Sequence, residues 1–265
     1  MLISIKHTST YRYAEPVTYA VQRVRLRPVD SSVQSVADWR VDVEGAAQEL
    51  SYRDAFGNET ELLHSKPHTS EIVVRAVGRV ETRDTAGIFG AGTGTAPLWI
   101  YQRVTPLTQP GEAVHALAEP LSSVSGRLEQ LHRLSAEIAA RVAYIPDSTN
   151  VATAAEAALA CGSGVCQDHA QIFISAARLL GVPARYVSGY LLMEDRIEQT
   201  ATHAWAEAFV EDLGWVGFDV ANGVAPDERY VRIACGLDYG QAAPITGLRK
   251  GSSTETLAVT LNVEQ

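Results

Sequence analysis

What most limits the fold of this chain is a change of hydrophobic period near Pro110. Before it, apolar residues alternate with less apolar ones at Ile3 and Ile5, at Val17, Tyr19 and Val21, at Trp39, Val41 and Val43, and at Ile72, Val74 and Ala76. A period of two sends neighbouring side chains to opposite faces of a strand, so residues 1–105 are expected to form a β-rich domain. A β-sandwich is the simplest way to cover its apolar faces. Beyond Pro110, Leu128, Leu131, Leu134, Ile138 and Val142 recur at steps of three and four, the stripe of an α-helix that Pro146 is expected to end. Residues 106–265 are therefore read as a second, mixed domain, and the fold class as α+β. Asp54-Ala-Phe-Gly-Asn58 has the residues of a tight turn, and the glycine-rich stretch Thr85 to Pro97 is expected to be a mobile loop near the site.

The second half can be divided further. Thr153-Ala-Ala-Glu156 has the spacing of a capping box, which predicts a short helix from about Ala154 to Cys161 closed by Gly162. A second helix is predicted to start at Cys166 and run to Leu180, with Gly181 at its C′ position and Pro183 beyond. Strands are predicted at Ala184 to Leu192, His203 to Val210 and Gly214 to Asp219, followed by a final alternating strand through Leu257, Val259, Leu261 and Val263. In the middle strand Ala204, Ala206 and Ala208 share one face, small enough for a helix to lie close, while His203, Trp205, Glu207 and Phe209 share the other.

Composition removes several classes of function. Lys and Arg number 22 against 31 Asp and Glu, a net charge of −9, which gives no general attraction to phosphate backbones or anionic lipid. Neither nucleic acid nor a membrane is expected as a partner, because no apolar run approaches the ~20 residues a bilayer span needs. The N-terminal residues lack the features of a secretory leader, so the cytoplasm is the expected location. Three cysteines in 265 residues make no disulfide framework, and the question becomes which thiol is reactive.

Cys166, in the first turn of its helix, meets the unpaired N–H groups and positive dipole end that favour a thiolate. Acyl transfer also needs a histidine to pair with the thiolate and protonate the leaving amine, and a carboxylate to orient that histidine. His203 and Asp219 suit those roles, provided that they share a face of the sheet. A three-residue connection, Glu211 to Leu213, sets Val210 opposite Gly214 and Asp219 opposite Trp205, diagonal to His203 on the same face. An even connection, with Val210 opposite Trp215, puts Asp219 on the wrong face.

Four blocks carry a family resemblance: Gly164-Val-Cys-Gln-Asp-His-Ala170, Gly181-Val-Pro-Ala-Arg-Tyr-Val-Ser-Gly-Tyr190, His203-Ala-Trp-Ala-Glu207 and Gly214-Trp-Val-Gly-Phe-Asp219. The chain resembles the bacterial transglutaminase-like superfamily. Tyr11-Arg-Tyr13, Pro16-Val17, Phe56-Gly-Asn58 and Val80-Glu-Thr82 are similar to the β-rich region that precedes this domain in bacteria. The resemblance implies a papain-like core with an antiparallel sheet packed on the nucleophile helix. It also implies Cys166 as nucleophile, His203 as general base and acid, Asp219 as orienting carboxylate, and no cofactor. The substrate it implies is a peptide or protein. Departures are Val220, where members commonly have proline, and Leu237, where an arginine is usual.

Other readings compete residue by residue. Cys161, Cys166, His169 and His203 could be drawn as a zinc set, but their spacings match no familiar finger, and no metal is expected. Trp205, Trp215 and Phe218 are assigned to packing before substrate binding. His7, His64, His68, His115 and His132 are expected to be surface or ordinary structural residues. Function is expected to be hydrolysis of peptide or carboxamide bonds through a thioester. Acyl transfer to an amine and a non-catalytic binding module are the alternatives, and oligomeric state is left open.

Overall fold

The computed structural model describes residues 1–194, 196–251 and 254–265. The first strands are β1 (Leu2–Val17), β2 (Tyr19–Arg27), β3 (Gln34–Glu44), β4 (Ala46–Arg53), β5 (Glu59–Ser65), β6 (Thr69–Thr82) and β7 (Ile88–Gly90). Then come α1 (Glu112–Ala118), α2 (Arg127–Arg141), β8 (Ala143–Tyr144), α3 (Ala155–Cys161), β9 (Ser163–Gly164) and α4 (Cys166–Leu179). The chain continues through β10 (Ala184–Leu191), β11 (Glu198–Gln199), β12 (His203–Val210), β13 (Gly214–Phe218), β14 (Tyr230–Gly236), α5 (Tyr239–Ala242), β15 (Ile245–Lys250) and β16 (Glu255–Glu264).

Two antiparallel sheets, in the orders β11-β16-β1-β6-β3 and β15-β2-β5-β4, bury the expected alternating residues between them: Ile3, Ile5, Ile72, Val74 and Ala76 meet Val24, Leu26 and Leu63. The fold is α+β, as expected. The alternation at Val17, Tyr19 and Val21 is misleading, because it crosses the turn between β1 and β2; on β2 the buried face carries Ala20, Gln22 and Val24 instead. The final alternating run becomes β16, which lies between β11 and β1, while β15 pairs with β2.

The third sheet runs β14-β10-β12-β13-β7. Its alanine face, Ala204, Ala206 and Ala208, packs on Ala170, Phe173 and Ile174 of α4 in a core shared with Leu131, Leu134 and Ile138 of α2. Small side chains let the helix and sheet approach closely, which fixes the start of α4 against the sheet. α2 ends at Arg141, before Pro146, because Val142 is already extended. Part of the expected glycine-rich loop is the strand β7, paired with β13. Here Gly214 adopts φ +79°, and a Cβ on it would lie 2.4 Å from Gly90 O.

The sandwich and the third sheet share a boundary. Tyr190, Val231 and Ile233 from β10 and β14 belong to the sandwich core. The edge strand β14 is sealed by two side-chain amides. Asn58 bonds both the N–H and the C=O of Cys235, and Gln34 does the same for Arg232. The Phe56-Gly-Asn58 turn is thus a docking element, with Gly57 at φ +88° and Asp54 accepting from the N–H groups of Phe56 and Asn58.

The apparent capping box at Thr153 is a correction. The N-cap of α3 is Ala154, which has no side chain to cap with, and the Glu156 carboxylate reaches across to the N–H groups of Gly111, Ala113 and Val114 at the start of α1. A residue that looks like a local cap therefore caps a different helix. Leu237, one of the departures from the family pattern, is buried with Phe89, Tyr101 and Trp215, and Val220, the other, is buried beside α4.

Candidate active site

Cys166 is the first residue of α4, after the N-cap Val165. Asp168 makes this helix start rigid: its Oδ2 accepts from the Val165 N–H at 2.8 Å and from the Thr149 hydroxyl at 2.6 Å. Gly164 has to be small, because a Cβ there would fall 2.7 Å from the Asp168 Cβ. Val165 O takes the N–H groups of Asp168 and His169. Among the described residues this leaves the N–H groups of Cys166 and Gln167 unbonded at the partly exposed end of the helix.

His203 opens β12 and Asp219 follows the last residue of β13. Val210 pairs with Gly214 and Ala206 with Phe218, the register of a three-residue connection, so the two side chains share a face. His203 Nε2 lies 2.6 Å from Asp219 Oδ2, and Cys166 is close enough to act on the ring, where Nδ1 remains for it. The structure thus brings Cys166, His203 and Asp219 together.

The electrostatics favour an imidazolium. Burial works against the charged ring, but the hydrogen bond to Asp219 and the nearness of Cys166, together with their negative charges, push its pKa up to about 10. Asp219 is fully buried, which on its own would raise its pKa; donors from His203, Asn222 and Tyr230 hold it below the usual carboxylate range. Asn222 Nδ2 and the Tyr230 hydroxyl reach Oδ2 at 2.7 and 2.8 Å, and the Asn222 N–H reaches Oδ1 at 3.2 Å. These two residues escaped sequence reasoning. Asn222 carried a weak signal, since Asn-Gly after a strand marks a turn whose side chain bonds backward. Tyr230 carried none, being one buried aromatic among several.

The remaining candidates separate from the site. His169 is buried, its ring nitrogens 2.9 Å from Val165 O and 3.0 Å from Val142 O, so it ties α4 to the end of α2. Trp205, Trp215 and Phe218 are buried: Trp205 packs edge to face on Tyr230, Trp215 lies 3.9 Å from the Arg185 guanidinium, and Phe218 stacks on Phe173. Cys161 is exposed and Cys235 buried, both as free thiols. His7 is not at the surface: it is buried between Tyr190 and Ser9, each 3.0 Å away. Among the described residues no helix is long and apolar enough to cross a membrane.

Known proteins share both halves of this arrangement. A family profile described as the transglutaminase-like superfamily matches residues 115–220, and one described as the bacterial transglutaminase-like N-terminal region matches residues 3–81. An uncharacterised protein of Mycobacterium leprae (strain TN) is 30% identical over 274 residues, covering 98% of this chain and 97% of its own. A protein-glutamine gamma-glutamyltransferase of Pseudomonas aeruginosa is 32% identical over 102 residues, 33% of this chain and 15% of that one. The crystal structure of a candidate cysteine protease from Cytophaga hutchinsonii has the same fold, with a TM-score of 0.79 at 20% identity, covering 100% of this chain and 91% of that one.

Proposed function

This chain belongs to the transglutaminase-like superfamily, and from that premise we propose that it is an enzyme that hydrolyses peptide or carboxamide bonds through a thioester on Cys166. The observation that carries the reading is the placement of His203 between Asp219, 2.6 Å from its Nε2, and the Cys166 thiol at an open helix start. The Cys166 thiolate attacks the carbonyl carbon, forming a C–S bond, and the oxyanion is held by the unbonded N–H groups of the first turn. His203, charged through neutral pH, gives the proton on Nδ1 to the nitrogen of the leaving amine as the C–N bond breaks. Water then attacks the thioester, His203 takes its proton, and the carboxylic acid and thiolate are released. Asp219 keeps Nδ1 directed at sulfur and balances the imidazolium charge.

Acyl transfer uses the same steps with an amine in place of water, and the likeness to the Pseudomonas aeruginosa glutamyltransferase over 102 residues, 33% of this chain, favours it as a second reading. A binding module with an inert core fits poorly, since it has no use for a buried carboxylate held by three donors beside a histidine and a thiol. Alkylation of Cys166 by iodoacetamide at pH 6, read by peptide mass spectrometry so that the exposed Cys161 is scored separately, tests the assignment: fast in the wild type and slow in His203→Ala, with Cys166→Ala giving the background from Cys161. Equal rates with and without His203 would remove the histidine from the mechanism. A peptide library with and without an added amine, read by mass spectrometry, then separates hydrolysis from transfer.

A further inference from the structure

Asp219 Oδ2 accepts three donors in a buried setting, and only one of them is the histidine. The Tyr230 ring is fixed against both partners, 5.5 Å edge to face from Trp205 and 5.9 Å from His203. Its backbone is held from the N-terminal region. The Thr82 hydroxyl bonds Glu228 O, Gln34 spans both backbone groups of Arg232, and Gly87 O takes the Gly217 N–H on the strand leading to Asp219. Within the preceding turn, the Tyr230 N–H bonds Asp227 O while Arg229 pairs with Asp227 at 2.7 Å.

We infer that Tyr230 is a positioning residue for the proposed reaction: its hydroxyl fixes the Asp219 carboxylate that orients His203, and the N-terminal region sets the place of Tyr230. This rests on the reading of Cys166, His203 and Asp219 given above. Three donors on one oxygen compete for its electron density, so the tyrosine also limits how strongly Asp219 holds the imidazolium proton. Burial, followed by the charge of Asp219, raises the pKa of the hydroxyl, which keeps its proton and remains a donor. The other charges acting on the hydroxyl are Asp227 and Arg229, just before β14.

The test is the low-field proton resonance of the His203–Asp219 hydrogen bond, identified by its loss in His203→Ala. In Tyr230→Phe the ring keeps its packing while Oδ2 loses a donor, so the resonance moves to lower field. Site-specific 3,5-difluorotyrosine at position 230 keeps the shape but donates more strongly, and the resonance moves to higher field. Thr82→Val, which releases Glu228, broadens or shifts the same signal. A resonance unmoved by both changes at position 230 would overturn the positioning role. Failure of the catalytic reading shows separately, as alkylation of Cys166 indifferent to His203→Ala.

Discussion

His7 offers a quantitative check on how the sandwich is joined to the third sheet. It lies on β1, 2% exposed, with Nδ1 against the hydroxyl of Tyr190 on β10 and Nε2 against Ser9. Burial lowers its pKa to about 4, from 6.5 for an ordinary histidine. Below pH 6.5 the unfolded chain takes up a proton that the folded chain refuses, so stability falls as pH drops from 6.5 towards 4. Proton linkage puts the loss at about 2 kcal/mol between pH 8 and pH 5, and at about 3 kcal/mol once pH is below both values. His203 acts in the opposite direction. Its pKa is raised to about 10, so its contribution is complete below pH 6.5 and is lost as pH rises towards 10. The wild-type curve alone mixes the two effects, and the difference from His7→Gln isolates the first. In urea denaturation the wild type is more stable at pH 8, and its advantage shrinks by about 2 kcal/mol at pH 5, equivalent to a relative shift in Tm of roughly 4–8 °C. A stability difference that stays constant from pH 8 to pH 5 would refute the reasoning and place the His7 ring in contact with solvent.

Three further changes have defined outcomes. Gly214→Ala brings a Cβ 2.4 Å from Gly90 O at a positive φ, costs about 1–3 kcal/mol, and speeds thermolysin cleavage next to Phe89; cleavage at the wild-type rate would mean that β7 is not held by β13. Glu156→Ala leaves three N–H groups of α1 without an acceptor and lowers the urea midpoint by an amount equal to about 1–2 kcal/mol, whereas Thr153→Ala, the change a local cap would feel, costs less; the reverse order would restore the local reading. Asp219→Asn keeps an oxygen that can orient His203 but removes the charge, so iodoacetamide modification of Cys166 at pH 6 falls between the wild type and His203→Ala; a rate equal to the wild type would strip the carboxylate of its role.

What could be read in the sequence depended on how local the signal was. The start of α4 at Cys166 and the small face of β12 rest on periodicity within one element, whereas the hairpin at Glu211 to Leu213 left two registers open, and the pairing of Val210 with Gly214 is what sets His203 and Asp219 on one face. The misreadings come from partners distant in sequence. Glu156 has the spacing of a cap, but its acceptor oxygens serve residues 111–114. β7 is three residues among glycines, and only its pairing with β13 makes it a strand. β14, which carries Tyr230 and is braced by Gln34 and Asn58, has no alternation to mark it, because both of its faces are covered.

The placement of β15 and β16 bears on how the protein is made. These strands complete the two sheets of the sandwich, β16 between β11 and β1 and β15 beside β2, yet they emerge from the ribosome after everything else described from residue 1 to 244. Until then β1 and β2 each expose an open edge, and the sandwich that braces β14 and Tyr230 is unfinished. The thiol, imidazole and carboxylate are all synthesised before the strands that stabilise their surroundings. A nascent chain therefore carries Cys166, His203 and Asp219 in an unfinished setting until β15 and β16 close the sheets.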